Sequence, residues 1–123
     1  MANITLAVPS MGEGGLEAER SGHFGHCECF TLLEINDGKI GDVKVVANPP
    51  HVEGGCLRPV NLLKDAGATA IVVAGMGLRP LQGFEGVGIT VYFDAEEPIV
   101  GKVAEKVAAG EAPIMSSDQA CQH

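Results

Sequence analysis

Apolar residues occur in short runs broken by glycine, proline and polar clusters, and the spacing inside each run indicates its structure. Residues 4–8, ITLAV, form a continuous apolar stretch ended by Pro9, as in a buried strand. A glycine-rich loop follows. Residues 29–35, CFTLLEI, predict a second strand, NDGK at 36–39 supplies a hairpin turn, and 40–47 alternates back as the partner strand. The prolines and glycines of NPPHVEGGC, 48–56, exclude regular structure, after which Leu57, Val60, Leu63 and Ala66 recur at helical spacing up to Gly67. Residues 69–75, TAIVVAG, lack polar alternation, the pattern of a central strand covered on both faces. A short helix over 78–84, a strand over 88–93 and a helix over 98–109 follow, the last with Pro98 near its start and Ile99, Val103 and Val107 on one side. The order β-β-β-α-β-α-β-α predicts an α/β fold with a five-stranded mixed sheet. Strands run parallel at the helical crossovers and antiparallel at the N-terminal hairpin.

Length and composition narrow this picture. The chain has 123 residues, enough for one core, and 46% are hydrophobic against 20% charged, so the chain is expected to be globular. One domain over 1–112 with a flexible C-terminal tail over 113–123 is the expected organisation. A net charge of −8 with only eight lysines and arginines argues against nucleic acid, which requires a basic footprint. The start, MANITLAVPS, has no basic segment leading into a long apolar run, and no stretch is apolar for long enough to cross a bilayer. A cytoplasmic location is expected, where Cys27, Cys29, Cys56 and Cys121 are thiols or metal ligands rather than structural disulfides.

The predicted topology gathers the unusual residues. With the second strand antiparallel to the first, the loop after strand one, the loop 48–56 and the loops after strands four and five all leave one edge of the sheet. Ligands of open α/β sheets bind at the carboxyl ends of the strands. That edge collects His23, His26, Cys27, His51, Cys56 and the sequence GMGLR. Gly75, Met76 and Gly77 end a buried strand and open a helix, so backbone N–H groups can face an anion there; the plainer reading is a tight turn. Arg79 favours the anion, and Arg58 is a second candidate cation.

SGHFGHCECF, residues 21–30, holds two of the four histidines and two of the four cysteines. Cys27 and Cys29 are two apart, so in a strand they share a face, and a buried Cys29 is the plainer reading. Cys27 borders the loop and is the better ligand, beside His23 and His26. A closed zinc site would need a second ligand pair, which only Cys121 and His123 near the terminus supply. Cys56, at a helix start with His51 nearby, has the setting of a low-pKa thiol, but no orienting group or oxyanion hole for a Cys-His enzyme is identifiable.

SGHFGHCECFTLLEI, the NPP…GG loop, the strand ending in GMGLRP and the following GITVYF together resemble the dinitrogenase iron-molybdenum cofactor biosynthesis family, over about residues 4–109. The most specific elements are GHFG at 22–25 and the glycine-methionine-glycine turn with its arginine at 75–79. The resemblance implies a three-layer, ribonuclease-H-like fold that is not an enzyme. It implies that a metal-sulfur cluster, molybdenum with copper or iron, or an anionic precursor of it, is held between the loops. Family members of this kind are small stand-alone cluster proteins and nitrogenase accessory factors. Carried over position by position, His23, Gly75, Met76, Gly77 and Arg79 match the family pattern, and Phe24 and Gly25 complete its loop motif. Leu78 stands where many relatives carry proline, and His26 and Cys27 depart from the pattern after GHFG. Nuclease chemistry is not expected despite the fold, because ITLAV carries no carboxylate to hold a metal.

The expected function is therefore a non-catalytic carrier of a molybdenum-containing cluster or precursor, with a partner protein in cluster assembly or delivery. A zinc- or copper-binding regulatory module using His23, His26 and Cys27 is the alternative, and direct ligation by Cys56 is compatible with either. A helix N-terminus contributes about 0.3–1 kcal/mol towards an anion and a charged hydrogen bond about 1.5–3 kcal/mol. Micromolar affinity needs about 8 kcal/mol, so packing by Met76 and Phe24 or side-chain ligation must supply the remainder.

Overall fold

The computed structural model describes residues 3–21, 28–36, 38–47, 58–74, 78–94 and 96–114, with the side chains of 58–60 and 78–80 left undescribed. The elements are β1 (Asn3–Ser10), β2 (Cys29–Asn36), β3 (Lys39–Ala47), α1 (Arg58–Asp65), β4 (Ala70–Val73), α2 (Leu78–Gly86), β5 (Thr90–Phe93) and α3 (Val100–Ala108). The predicted order holds, and the boundaries agree to within two residues. The five strands form one mixed sheet in the order β3-β2-β1-β4-β5. β1 pairs antiparallel with β2 from Asn3↔Asn36 to Ser10↔Cys29, and parallel with β4 through Leu6↔Ala70 and Ala7↔Ile71. β2 and β3 make the hairpin, and β4 and β5 are parallel.

Alternation along the strands creates two cores. Ala7, Phe30, Leu32, Ile71, Val73 and Val91 pack with Leu63 of α1 and Leu81 and Phe84 of α2. Leu6, Val8, Leu33, Ile35, Ala70 and Val72 pack with Val100, Val103, Ala104 and Val107 of α3. The sheet is thus the middle of three layers. All four residues of β4 are buried, as its unbroken apolar run predicts.

β3 departs from its sequence pattern. Its alternation predicts one buried face, yet Val43 and Val45 are 37% and 44% exposed. β3 is the outermost strand, and Lys39, Asp42 and Lys44 place charge along it, a common protection for an open sheet edge. At the other side of the sheet, Phe93 N–H donates to Pro113 O at 2.8 Å and Tyr92 bridges Ile114. The first two residues of the expected tail therefore lie against β5.

Residues 11–21, the described part of the loop after β1, dock on the start of α3. Ile99 provides no side-chain cap for this helix. Its first donors are met instead by loop carbonyls: Val100 N–H bonds Ala18 O at 3.0 Å and Gly101 N–H bonds Leu16 O at 2.8 Å. Arg20 N–H in turn donates to Pro98 O at 2.8 Å. So close an approach requires glycine at 101, where a Cβ would lie 2.9 Å from Leu16 O. Alanine usually stabilises a helix relative to glycine. Gly101→Ala should instead lower stability by about 1–3 kcal/mol, because the clash is with main chain. Urea unfolding monitored by circular dichroism tests this; an unchanged or raised midpoint would mean that the loop is not held as described.

Candidate functional site

The register places the ends of β1, β3, β4 and β5 and the start of β2 on one edge. Ser10 pairs with Cys29, Cys29 with Ala47, and Val73 with Phe93. The described residues that flank 22–27, 48–57 and 75–77 lie at this edge or at the starts of the helices that follow it. The predicted shared rim is thus present at the level of the strand ends. A cleft of about 400 Å³ bordered by Thr5, Leu32, Glu34, Lys44, Ala66 and Gly67 opens towards the opposite edge. It brings no sequence-predicted site residue together.

The root of the first loop is built from hydroxyls. Ser10 and Thr31 are fully buried. Ser10 Oγ donates its only proton to Val8 O at 2.7 Å, so Thr31 Oγ1 donates to Ser10 Oγ at 2.8 Å and accepts the Gly15 N–H at 2.9 Å. This chain of bonds ties the loop to the end of β1 without burying an unmet polar group. Gly14, at φ 74°, passes so close that a Cβ would fall 2.9 Å from Cys29 Sγ. Further bonds run from Gly12 N–H to the Glu28 carboxylate at 2.9 Å and from Ser21 N–H to Pro9 O at 2.9 Å. They fix both flanks of 22–27.

Beside this root lies a charge cluster. Asp94 immediately follows β5, and its N–H bonds Val73 O at 2.9 Å. Its side chain is 7% exposed; Oδ1 accepts the N–H groups of Glu96 at 2.8 Å and Glu97 at 3.0 Å, and Oδ2 meets Lys106 Nζ at 3.0 Å. Burial alone would push the Asp94 carboxyl up. Bonds from the Glu97 N–H, the Lys106 ammonium and the Glu96 N–H outweigh it and hold the carboxyl below its usual range. Lys106 is correspondingly raised, chiefly by its hydrogen bond to Asp94.

Arg20, also at the loop root, has a side chain only 6% exposed. Its Nη1 donates to Glu97 O at 2.8 Å and stands 3.8 Å from Asp94 Oδ1. Nε and Nη2 are buried and, among the described residues, have no hydrogen-bond partner. Burial lowers the guanidinium pKa, with Asp94 and Glu97 opposing. Two cations therefore share Asp94, and Lys106 holds the closer position.

Of the sequence-predicted residues, His23, Phe24, Gly25, His26, Cys27, His51, Cys56, Gly75, Met76, Gly77, Cys121 and His123 lie outside the described residues. Arg58 and Arg79 fall in the first turns of α1 and α2, and their side chains are likewise outside. Cys29 is 4% exposed, with its thiol 3.6 Å from Gly12 O. Burial, assisted by the charge of Glu28, raises its pKa. It is a structural thiol, as the plainer reading holds. Among the described residues, no three or more His, Cys, Asp or Glu side chains are placed to hold a metal ion. Sequence reasoning missed Arg20 and Asp94, since neither belongs to a motif and their meeting depends on the fold.

Open α/β sheets carry their ligand sites, where they have them, outside the carboxyl ends of the strands. The comparisons with known proteins are more specific. Residues 4–110 match the family model described as dinitrogenase iron-molybdenum cofactor, and the chain belongs to that family. An uncharacterised protein of Methanocaldococcus jannaschii is 32% identical over 74 residues, a match covering 58% of this chain and 63% of the relative. The crystal structure of PH0822 superposes with a TM-score of 0.73 at 25% identity, covering 93% of this chain and 96% of that one. The apo form of the orange protein from Desulfovibrio gigas gives a TM-score of 0.75 at 22% identity, covering 90% and 92% of the two chains, a likeness of fold.

Two changes test the rim's framework. Thr31→Val strands the Gly15 N–H and removes Ser10's donor, and should cost about 1–3 kcal/mol in chemical denaturation. Loss of less than a few tenths would refute the hydroxyl chain. Asp94→Asn should destabilise the protein at neutral pH by a similar amount, about 1–3 kcal/mol. Because the folded carboxyl lies below its unfolded value of about 3.9, its contribution is fully present above that pH and disappears as pH falls through the folded value. The gap between wild type and Asp94→Asn in thermal melts should therefore close below about pH 4; a gap independent of pH would contradict the assignment.

Proposed function

We propose that this protein is a non-catalytic carrier that accepts, holds and delivers a metal-sulfur cluster or its precursor, most simply one containing molybdenum with copper or iron. The observation that carries this reading is membership of the iron-molybdenum cofactor family over nearly the whole chain, with β1 and β4, the strands that precede the family's two loop motifs, ending at the same edge of the sheet. In this reading His23, Phe24, Gly25, Gly75, Met76, Gly77 and Arg79 form the cradle. Backbone amides and Arg79 meet the anionic cargo, and His23, His26, Cys27 and Cys56 are its candidate metal ligands. A buried arginine short of acceptors beside that edge suits a negatively charged cargo in a protein whose net charge is −8. The carrier works in the cytoplasm with a protein that supplies or receives the cluster. Among the described residues no helix is long and apolar enough to cross a membrane.

The concentration of His23, His26 and Cys27 in one short loop supports a second reading, a regulatory module for a zinc or copper ion. One experiment separates them. Protein purified without oxygen is offered tetrathiomolybdate and copper, and its metal and acid-labile sulfide are measured with its absorption spectrum. The carrier retains molybdenum and sulfide stoichiometrically with new visible bands, and Arg79→Ala weakens retention by about tenfold. No retention, alongside tight binding of bare zinc or copper lost on changing His26 and Cys27, would establish the ion-binding module instead.

A further inference from the structure

We propose that Arg20 is an anion-receiving residue at the base of the rim, its Nε/Nη2 edge forking onto two adjacent acceptor atoms of a tetrahedral oxo- or thio-anion. The guanidinium is planar, and Nε–H and one Nη2–H point the same way along one side of it, the geometry that grips an anion with two parallel bonds. In Arg20 the remaining nitrogen, Nη1, is the one engaged, with Glu97 O at 2.8 Å. The two atoms left without a partner among the described residues are thus the matched pair of a single fork, rather than scattered orphans. Both are shut off from solvent, where an unmet donor is costly.

Charges of both signs surround this edge. Asp94 is committed to two backbone N–H groups and to Lys106 at 3.0 Å, and Arg20 stands 3.8 Å from it. Glu97 also acts on Arg20, and Glu96, 90% exposed, stands 3.9 Å from Lys106, so three carboxylates balance the two cations. What singles out Arg20 is therefore the unmet fork and not a surplus of positive charge. Position links it to the motifs. Arg20 lies three residues before His23, and Asp94 is hydrogen-bonded to Val73, two residues before Gly75. Arg20 is thus linked through Asp94 to the strand that precedes the second motif. That the anion is a cluster rests on the reading in the preceding subsection; the subsite itself does not.

The chain has three arginines, so Arg20's Nε–H gives one of three side-chain signals in a ¹⁵N-correlated proton spectrum, assignable through its own carbons. Wild-type protein is titrated separately with sulfate, molybdate and tetrathiomolybdate. Arg20's Nε–H should shift saturably with at least one of them, and Arg20→Lys, which keeps the charge but not the fork, should weaken that anion's binding about tenfold or more. Movement with tetrathiomolybdate alone supports the subsite and identifies a thio-anion as its ligand. Movement with sulfate or molybdate supports it for a free oxyanion, even if no cluster is retained and the carrier reading fails. If no anion moves the signal, the proposal is overturned without reference to any variant. It is overturned equally if Arg20→Lys binds the anion that moves the signal as tightly as wild type does, an outcome that leaves the carrier reading standing.

Discussion

The pairing of β1 with β2 on one side and β4 on the other organises this molecule. Eight paired positions fix β2 antiparallel to β1, and the parallel register Leu6↔Ala70 and Ala7↔Ile71 fixes β4. Because side chains alternate along a strand, a one-residue slip in either register would exchange the residues facing α1 and α2 with those facing α3. The same pairing decides direction. With β1, β3, β4 and β5 all ending at one edge, the segments that follow these strands begin there.

The segment after β1 turns that arrangement into a framework. It is tied to the end of its own strand by the Ser10–Thr31–Gly15 bonds, and to α3 by main-chain bonds that serve as the helix's missing cap. Satisfying the donors of α3 and anchoring the loop are therefore one interaction. Its cost is sequence freedom, since Gly101 and Gly14 admit no Cβ without displacing a neighbour. Arg20 and Asp94 sit where this loop meets the end of β5, adding charge to a root otherwise held by main-chain and hydroxyl bonds.

Much of this was legible in the sequence, and the reason is locality. Continuous apolar runs, helical spacing and glycine breaks depend on residues a few positions apart, so all eight elements were recovered in order, and β4 was recognised as covered on both faces. The GHFG and GMG.R motifs likewise led to the right family from short, nearly contiguous stretches. β3 misled in one respect, since alternation reports which residues share a face but not whether another layer covers it; β3 is the sheet's outer strand, and Val43 and Val45 remain exposed.

The sequence by itself thus determined the elements, their order, the family and the edge at which β1, β3, β4 and β5 end, because each follows from local pattern or from the chirality of short connections. Only the tertiary structure decided that α3 is capped by a loop and that Arg20 meets Glu97 across 77 positions of chain. Such contacts leave no local signature. An arginine in a glutamate-containing loop looks solvated until the fold surrounds it, and only then do the count of acceptors and the loss of water give its unpaired edge a meaning.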